Sequence, residues 1–217
     1  MSQRIFITAT NTDIGKTYAA LRLIEQFASL GYSVAALKPI ETGVVDRPND
    51  ATALLQKVQR HNPKAASLHV NDIVPYRFSL PAAPFIANGA NPVDLTRIDK
   101  ALQKLERIAD IVVIEGAGGL FVPIDDSTAM IDLIKRYDAK TLLITHCSLG
   151  CINDTILSRN ALRQERIASI TALNCKEDFA SFQEISKPYF DAKMQDIFYL
   201  HDDIRQIAKA LISYNGI

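Results

Sequence analysis

The fold is decided by one stretch near the start of the chain, Ala9-Thr10-Asn11-Thr12-Asp13-Ile14-Gly15-Lys16-Thr17. It follows the apolar run Ile5-Phe6-Ile7 and opens a helical pattern that extends to about Leu30. A strand, a tight loop ending in Gly-Lys-Thr and a helix form the context of a phosphate-binding loop. The free N–H groups of a helix start cradle an anion, the lysine adds positive charge, and the threonine hydroxyl is a magnesium ligand. We therefore expect Lys16 and Thr17 to bind a nucleotide with its magnesium.

The loop departs from the usual phosphate-loop pattern at its entry. Thr10 stands five residues before Gly15, where a glycine is usual, and Ala9 precedes it. Only Gly15 keeps full backbone freedom. A helix start that carries Gly-Lys-Thr by coincidence is the alternative, and the rest of the chain has to decide between the two.

Length and composition exclude several classes of protein. The chain has 217 residues, which favours a single domain over residues 1–217 with ample surface to bury a core. Lysine plus arginine equals aspartate plus glutamate at 24 each, so charge gives no reason to expect binding to nucleic acid or an anionic membrane. No apolar run could span a bilayer, and Met-Ser-Gln-Arg lacks a signal-peptide layout. We expect a cytoplasmic protein.

The three cysteines are interpreted as reduced thiols in or near a core. Cys147, Cys151 and Cys175 are odd in number, and no pair has zinc-ligand partners at a useful spacing.

Apolar and amphipathic runs alternate along the chain. Six apolar runs predict strands at Ile5–Thr8, Val34–Leu37, Ile111–Ile114, Leu142–Thr145, Ile170–Leu173 and Ile197–Leu200. Four amphipathic stripes predict helices at Leu21–Ala28, Ile98–Ile108, Ile152–Leu162 and Ile204–Ile212. The alternation predicts an α/β protein with three layers and a mainly parallel sheet, of the P-loop NTPase type. Ligands then bind beyond the carboxyl ends of the strands.

Helix caps follow from the same pattern. Gly31 stands where the C-terminal cap of the first helix belongs, and Thr96 precedes the second stripe as a candidate N-cap. The segment 75–92 contains four prolines and few charges, so we expect it to be irregular and to wall a substrate pocket.

Polar residues follow the second predicted strand in the run Lys38-Pro39-Ile40-Glu41-Thr42-Gly43. Pro39 ends the strand, and a lysine at that edge can extend into the same crevice as Lys16. Thr42 adds a hydroxyl, and the alternative for Lys38 is an exposed lysine in a polar turn. Asp50 begins the next helix, where helix capping alone would explain it.

A carboxylate and a glycine-rich segment follow the third predicted strand, in Glu115-Gly116-Ala117-Gly118-Gly119. A buried strand that ends in one carboxylate is where phosphate-loop enzymes place a magnesium-associated acid. Glycines also let backbone N–H groups approach a ligand closely. An ordinary glycine-rich turn is the alternative, but Gly15-Lys16-Thr17 makes the nucleotide interpretation stronger.

Two later strand ends carry further candidates. After the fourth predicted strand, Gly150 is expected to make a turn into a helix whose free amides bind a carboxylate, with Asn153 or Asp154 in its cap. His146 is interpreted as a strand-end residue, because no nucleophile or acid is evident beside it. Asn174, followed by the acids Glu177 and Asp178, is expected to contact a purine base.

Together these runs make the sequence resemble the dethiobiotin synthetase family as far as about Asp178. The resemblance rests on Thr12-Asp13-Ile14-Gly15-Lys16-Thr17, Lys38-Pro39 with Thr42-Gly43, Asn49-Asp50-Ala51, Val113-Ile114-Glu115-Gly116-Ala117-Gly118-Gly119, Leu149-Gly150-Cys151-Ile152-Asn153 and Asn174. Members of this family are homodimeric, ATP-dependent ligases of biotin synthesis. They close a ureido ring on 7,8-diaminononanoate with CO2 and release ADP and phosphate.

The resemblance implies a role for each motif. The catalytic residues would be Lys38 and Lys16. The nucleotide would bind Asp13, Ile14, Gly15, Lys16, Thr17, Tyr18, Asp50, Glu115, Gly116, Ala117, Gly118, Asn174 and Cys175. Magnesium would bind Thr17, Asp50 and Glu115. The diamine would contact Thr42, Gly118 and Gly119, and its carboxylate would bind Gly150, Cys151, Ile152 and Asn153 of the partner subunit.

The C-terminal region departs from the family pattern. Related enzymes often carry a second base-contacting loop with prolines and glycine after the last strand, whereas this chain has Ile197–Asp203 without such residues. The sequence therefore predicts looser discrimination between nucleotide bases.

Two other functions share the predicted fold. A nucleotide switch that positions chromosomes or septa would carry a signature lysine early in the loop, where this chain has Thr10 and Asn11, and a basic or amphipathic surface. An amide-forming ligase of the cobyrinate type would carry a glutaminase domain with a cysteine nucleophile. The sequence shows neither set of features, so both remain weaker alternatives.

Overall fold

Eight strands form two parallel sheets in the computed structural model, which describes residues 2–176 and 179–213. They are β1 (Gln3–Ala9), β2 (Val34–Leu37), β3 (Ile40–Thr42), β4 (Tyr76–Phe78), β5 (Ile111–Gly119), β6 (Lys140–Thr145), β7 (Ser169–Leu173) and β8 (Phe198–Tyr199). The main sheet has the order β2-β5-β1-β6-β7-β8, and β3 pairs with β4 in the small sheet. β1 therefore lies between β5 and β6, so the phosphate loop (residues 9–17) leaves the middle of the main sheet.

The helices flank the main sheet and complete the predicted three-layer arrangement. They are α1 (Lys16–Ser29), α2 (Asn49–His61), α3 (Val70–Ile73), α4 (Pro84–Ala87), α5 (Leu95–Glu106), α6 (Met130–Arg136), α7 (Cys151–Gln164), α8 (Phe179–Ile185), α9 (Lys187–Lys193) and α10 (Ile204–Ser213), with a 3-10 turn at Pro63–Ala65. Within residues 2–176 and 179–213, none of these helices combines the length and the apolar character needed to cross a membrane.

The core lies where continuously apolar strands meet apolar helix stripes. Ile5, Phe6 and Ile7 of β1 are fully buried, as are Leu23 and Phe27 of α1. Because helices cover the sheet, its central strands have no polar face, which is the pattern that the sequence displayed. Five of the six predicted strands are confirmed nearly in full, and the sixth is reduced to Phe198–Tyr199.

The glycine-rich segment is the end of β5 and not the ordinary turn that the sequence left open as an alternative. A Cβ atom on Gly116 would lie 2.9 Å from the Phe6 ring, and one on Gly119 would lie 3.3 Å from the carbonyl oxygen of Ala9. Glycine thus lets β5 stay close to β1, and the pairing continues to Ala9 opposite Gly119.

Other predictions near the elements' ends need correction. The segment 75–92 is less irregular than expected, because β4 pairs with β3 and α4 follows. The N-cap of α5 is Asp94, whose carboxylate accepts the N–H of Thr96, and not Thr96 itself. Gly31, with φ 92°, follows the end of α1, as predicted.

The cysteine prediction is also wrong for two of the three residues. Cys147 and Cys175 form a disulfide with a Cα–Cα distance of 5.0 Å, and Cys151 is a buried free thiol. Cys147 follows β6 and Cys175 follows β7, which are neighbouring parallel strands. Their side chains therefore meet at one edge of the sheet although 28 positions separate them in sequence.

Candidate active site

A cavity of about 420 Å³ opens beyond the carboxyl ends of β1, β2 and β5. Its walls are Thr12, Asp13, Gly15, Lys16, Thr17, Lys38, Ile40, Glu41, Thr42, Asp50, Glu115, Ala117, Gly118 and Lys176. The parallel sheet brings these residues together because every strand ends at the same edge.

The phosphate loop takes two left-handed backbone conformations before α1 begins at Lys16. Asp13 has φ 58° and Gly15 has φ 105°. Lys16 is buried, and its Nζ donates to the carbonyl oxygen of Asn11 at 3.1 Å. Burial, and after it the charge of Lys38, lower the pKa of Lys16 to about 8. An anion in the cavity would relieve both effects, because it would compensate the buried charge.

Lys38, Asp50 and Glu115 form a lysine–carboxylate cluster on one wall of the cavity. The Nζ of Lys38 lies 2.8 Å from Oδ2 of Asp50 and 2.5 Å from Oε1 of Glu115. Lys38 and Glu115 are buried, at 3% and 0% exposure. Burial opposes the charge of Lys38, but the two carboxylates outweigh it and raise the pKa of the lysine. The exposed-lysine alternative for Lys38 is therefore wrong, and its ammonium stays charged.

Thr17 completes a group of hard oxygen ligands beside this cluster. Its hydroxyl donates to Oε1 of Glu115 at 2.8 Å. The other oxygen of Glu115, Oε2, is buried and has no hydrogen-bond partner in the described part of the chain. Burial works against ionisation of Asp50, but the charge of Lys38 and the hydrogen bonds from Lys38 and Thr17 together outweigh it and lower the pKa of that carboxyl. No set of three histidine, cysteine or acidic side chains gathers around a metal position within the described ranges.

Asp50 does not cap α2, the alternative that the sequence left open. The N-cap is Pro48, and Asp50 lies in the first turn with its carboxylate on Lys38. The cap role belongs to Glu41, whose two carboxylate oxygens accept the N–H groups of Asp50 and Ala51, each at 3.0 Å. Burial raises the pKa of Glu41, and these hydrogen bonds oppose that shift. The sequence pattern around Glu41 gives no indication of this capping role.

Thr42, Ala117 and Gly118 line the cavity as predicted, and Gly118 has φ 63°. Gly116 and Gly119 instead lie against β1 and the start of the phosphate loop. Other cavity residues without an assigned role in the sequence are Thr12, Ile40 and Lys176.

Ile14 and Tyr18 belong to the phosphate loop and the first turn of α1 without lining the cavity. Ile14 is partly buried, and its carbonyl oxygen accepts a hydrogen bond. The Tyr18 ring is 40% exposed, and its hydroxyl accepts a hydrogen bond from Arg22.

Asn174 lies against the phosphate loop. Its side-chain amide donates to the carbonyl oxygen of Ile14 at 2.7 Å. Cys175, the next residue, is bonded to Cys147, and neither Asn174 nor Cys175 lines the cavity. The acids that the sequence placed beside Asn174, at positions 177 and 178, lie outside the described residues.

The predicted carboxylate-binding segment, Gly150 to Asn153, does not line the cavity of its own chain. Gly150, with φ 99°, is the N-cap of α7, which corrects the prediction of a cap at Asn153 or Asp154. Leu149, just before it, is 87% exposed.

His146 has the polar neighbours that the sequence did not reveal. Its Nδ1 lies 2.6 Å from the hydroxyl of Ser148, and its Nε2 lies 3.0 Å from Oδ2 of Asp154. The expectation that no nucleophile or acid accompanies His146 is therefore wrong. None of the three residues lines the cavity. Their hydrogen bonds stabilise the turn between β6 and α7.

Comparison with known sequences finds several similar proteins. A family model described as an AAA domain matches residues 3–201. An ATP-dependent dethiobiotin synthetase BioD from Sulfurovum sp. is 45% identical over 188 residues, 87% of this chain and 90% of that protein. Proteins of the same name from Wolinella succinogenes and Helicobacter pylori (strain Shi470) are 34% and 38% identical, covering 96% and 86% of this chain and 98% and 88% of their own lengths.

Solved structures share the fold at much lower identity. The cell division protein MinD from Aquifex aeolicus has a TM-score of 0.53 and 13% identity, with 95% of this chain and 86% of that chain covered. A plasmid partition protein from Borrelia burgdorferi has a TM-score of 0.57 and 10% identity, with 97% and 96% covered. At these identities the similarity shows the architecture of the fold alone.

Proposed function

The chain belongs to the dethiobiotin synthetase family, and from this premise we propose that it is an ATP-dependent ligase of biotin biosynthesis. It carboxylates 7,8-diaminononanoate with CO2 and closes the ureido ring of dethiobiotin, releasing ADP and phosphate. Residues 1–217 act as one ligase domain, in the cytoplasm, where ATP is made. The observation that carries this proposal is the convergence of Lys16 and Lys38 with Asp50 and Glu115 on one cavity.

The cavity fits a nucleotide with magnesium. Thr17, Asp50 and Glu115 would hold the ion, since Mg²⁺ prefers oxygen ligands and binds one or two carboxylates together with substrate phosphates. The partnerless Oε2 of Glu115 is an acceptor that a cation would satisfy. When bound, magnesium neutralises negative charge on the phosphates. The nucleotide phosphates lie on the amides of the phosphate loop, at the start of α1.

The reaction has three steps on the substrates. One amine of the diamine adds to CO2 and forms a carbamate. A carbamate oxygen attacks the γ-phosphorus of ATP, the bond to ADP breaks, and a carbamic–phosphoric anhydride results. The second amine then attacks the carbamate carbon, and phosphate leaves with the oxygen that joined it to carbon. Such a sequence needs alignment and charge stabilisation more than a protein nucleophile.

Lys16 and Lys38 supply the charge for the phosphoryl step. Lys16 enters the cavity from the phosphate loop, and Lys38 enters from the end of β2, so both ammonium groups would be available to the triphosphate. Thr42 and Gly118, which line the cavity, would contact the diamine. To reach a phosphate oxygen, the Lys38 ammonium has to break its hydrogen bonds with Asp50 and Glu115. We therefore expect the position of Lys38 to change when the nucleotide binds.

We extend the proposal to a homodimer with shared sites. Gly150, Cys151, Ile152 and Asn153 lie at the start of a 14-residue helix, where free N–H groups bind an anion. They do not line their own chain's cavity, and the exposed side chains of Leu149 and Phe121, at 87% and 68%, suit a subunit contact. The partner's copy of the segment would bind the substrate carboxylate.

We propose that the protein discriminates only weakly between nucleotide bases. Asn174 and Cys175 are the residues that would contact the base, and the Asn174 amide already donates to the phosphate loop. At the end of β8, the backbone N–H of Tyr199 donates to the carboxylate of Asp203, so the turn that follows β8 satisfies its own polar groups. Calorimetric titration of ATP and GTP tests the point, because a very strong preference for ATP would contradict it.

The assay that tests the proposed activity supplies diaminononanoate, bicarbonate, ATP and Mg²⁺ to the purified protein. Dethiobiotin is detected by mass spectrometry, and phosphate is measured in parallel. We expect one phosphate per dethiobiotin and little phosphate when the diamine is omitted. ATP hydrolysis that ignores the diamine would favour the nucleotide-switch alternative.

Mixed dimers test the shared site. Lys38→Ala and Asn153→Pro, which removes the backbone N–H proposed to bind the carboxylate, are each expected to be nearly inactive alone. In a mixed dimer, one site combines Lys38 from one chain with Asn153 from the other, so mixing and re-equilibrating the variants should restore activity. Mixtures that stay inactive, although they exchange subunits, would show that each site uses its own chain's Asn153.

A further inference from the structure

The segment after β7 holds the phosphate loop by two consecutive carbonyl groups. The amide of Asn174 donates to the carbonyl oxygen of Ile14, and Nζ of Lys176 donates to the carbonyl oxygen of Asp13, each at 2.7 Å. These residues are about 160 positions apart in sequence. Lys176 also lines the nucleotide cavity, although its motif gave no reason to assign it a role.

The two carbonyls control the direction of two amide groups. A trans peptide unit is planar, so its C=O and its N–H point in opposite directions. The carbonyl of Asp13 shares a peptide unit with the N–H of Ile14, and the carbonyl of Ile14 shares one with the N–H of Gly15. Neither of these N–H groups has a hydrogen-bond acceptor within the described part of the chain. Because Lys176 and Asn174 hold the two carbonyl groups, the N–H on the opposite side of each peptide unit is left free to face an anion.

The backbone at this point needs external support. Asp13 has φ 58°, a left-handed conformation that non-glycine residues adopt uncommonly. The next peptide unit, between Asp13 and Ile14, can still rotate about ψ of Asp13 and φ of Ile14, and that rotation would turn the N–H of Ile14 away from the cavity. The hydrogen bond from Lys176 opposes this rotation.

We propose that Lys176 is a positioning residue for the nucleotide, acting through the Asp13–Ile14 peptide unit. It orients the amide of Ile14 toward the phosphates, as Asn174 does for the amide of Gly15. The inference rests on the proposed function in requiring a bound nucleotide, but it does not depend on the ring-closing chemistry.

The test compares Lys176→Met, which cannot donate a hydrogen bond, with Lys176→Arg, which can. Dissociation constants for ADP and for a non-hydrolysable ATP analogue are measured by calorimetry. Lys193→Met is the matched control, because Lys193 is exposed at the end of α9 and makes no side-chain hydrogen bond among the described residues. Loss of one charge-assisted hydrogen bond predicts about tenfold weaker binding of both nucleotides to Lys176→Met.

Arginine at position 176 should restore most of the affinity, and the control should bind as the wild type does. With saturating ATP, Lys176→Met should keep its kcat and its KM for the diamine, while its KM for ATP rises. Unchanged nucleotide affinity would overturn the proposal. A loss confined to the ATP analogue would also overturn it, in favour of direct contact with the γ-phosphate.

The test separates this inference from the proposed function. If the wild type binds nucleotides but forms no dethiobiotin, the ligase proposal fails while the comparison at position 176 still decides the positioning role. A wild type that binds neither nucleotide would overturn both.

Discussion

The Nζ of Lys38 lies 2.5 Å from Oε1 of Glu115 and 2.8 Å from Oδ2 of Asp50, between the two carboxylates proposed to hold magnesium. The ammonium therefore neutralises these acids in the absence of another cation. A magnesium ion held as proposed would compete with Lys38 for the same oxygens, so binding of the metal nucleotide should move Lys38 toward the phosphates. This exchange would assemble the catalytic site only when the metal nucleotide is present.

Replacing Lys38 should separate binding from catalysis. We expect Lys38→Ala to keep ATP binding through the phosphate loop but to lose most turnover. Removal of one preorganised charge from a phosphoryl-transfer site costs on the order of 3 kcal/mol, or about a hundredfold in kcat. Calorimetry with ATP verifies folding and binding, and initial rates measure the loss. Near-normal turnover in this variant would remove Lys38 from the mechanism.

Competition between Lys38 and magnesium can be measured without catalysis. In Lys38→Met, no ammonium has to be displaced, so Mg²⁺ alone should raise the melting temperature more than it does in the wild type. Lys193→Met serves as the control, and its response to Mg²⁺ should equal that of the wild type. An equal response of Lys38→Met and wild type would indicate that the lysine and the metal use different oxygens.

Glu41 should hold the start of α2, and with it Asp50. A glutamine at this position has one acceptor oxygen for two N–H donors and no charge at the helix N-terminus. We expect Glu41→Gln to lower the free energy of unfolding by about 1–2 kcal/mol, measured by urea denaturation. The exposed Glu184→Gln should change it by less than about 0.5 kcal/mol. If both variants unfold alike, Glu41 does not stabilise the helix start.

Gly15 should be required for nucleotide binding beyond its effect on stability. A Cβ atom at this position would collide with the side-chain amide of Asn174, and its φ of 105° disfavours any side chain. Gly31→Ala is the matched control, since Gly31 also has a left-handed φ, but a Cβ atom added there would meet no other atom within 4 Å.

We expect both glycine variants to lose about 1–2 kcal/mol of stability and only Gly15→Ala to lose ATP affinity, measured by calorimetry. Equal ATP affinity in the two variants would show that the contact between Gly15 and Asn174 does not affect the nucleotide.

The disulfide predicts a thiol count. In denaturant without reductant, one thiol per chain should react, that of Cys151, and three should react after reduction. The bond closes a loop of 28 residues, so its reduction should lower the free energy of unfolding by about 3 kcal/mol. Three reactive thiols in unreduced protein, purified without reductant, would contradict the pairing.

The presence of Lys16, Lys38 and Glu115 in one cavity could be predicted from sequence because the order of strands in such sheets follows simple rules. Lys38 directly follows β2, Lys16 ends the loop after β1, and Glu115 follows the apolar part of β5, while parallel strands end at one edge. The phosphate loop, despite Thr10, retained the Gly15-Lys16-Thr17 ending and a buried strand before it. These local signals were sufficient to predict that the three side chains share one site.

The remaining features depend on side-chain directions that local patterns do not encode. Glu41 caps a helix that starts eight positions later. The side chain of Lys176 bonds to the phosphate loop, 163 positions earlier in the chain. The acid beside His146 was missed because α7 begins at Cys151. If the helix had begun near Asn153, as predicted, the Asp154 carboxylate would have bonded to N–H groups at the helix N-terminus. Because α7 begins at Cys151, the Asp154 carboxylate faces the imidazole of His146 instead.

The path of one oxygen atom tests the central claim most directly. The reaction is run with ¹⁸O-labelled bicarbonate in unlabelled water, and the products are measured before the label exchanges with solvent. The carbamate then carries labelled oxygen. The carbamate oxygen that attacks the γ-phosphorus leaves with phosphate. The account predicts inorganic phosphate with one ¹⁸O for each dethiobiotin formed. Unlabelled phosphate, released while dethiobiotin accumulates, would contradict it.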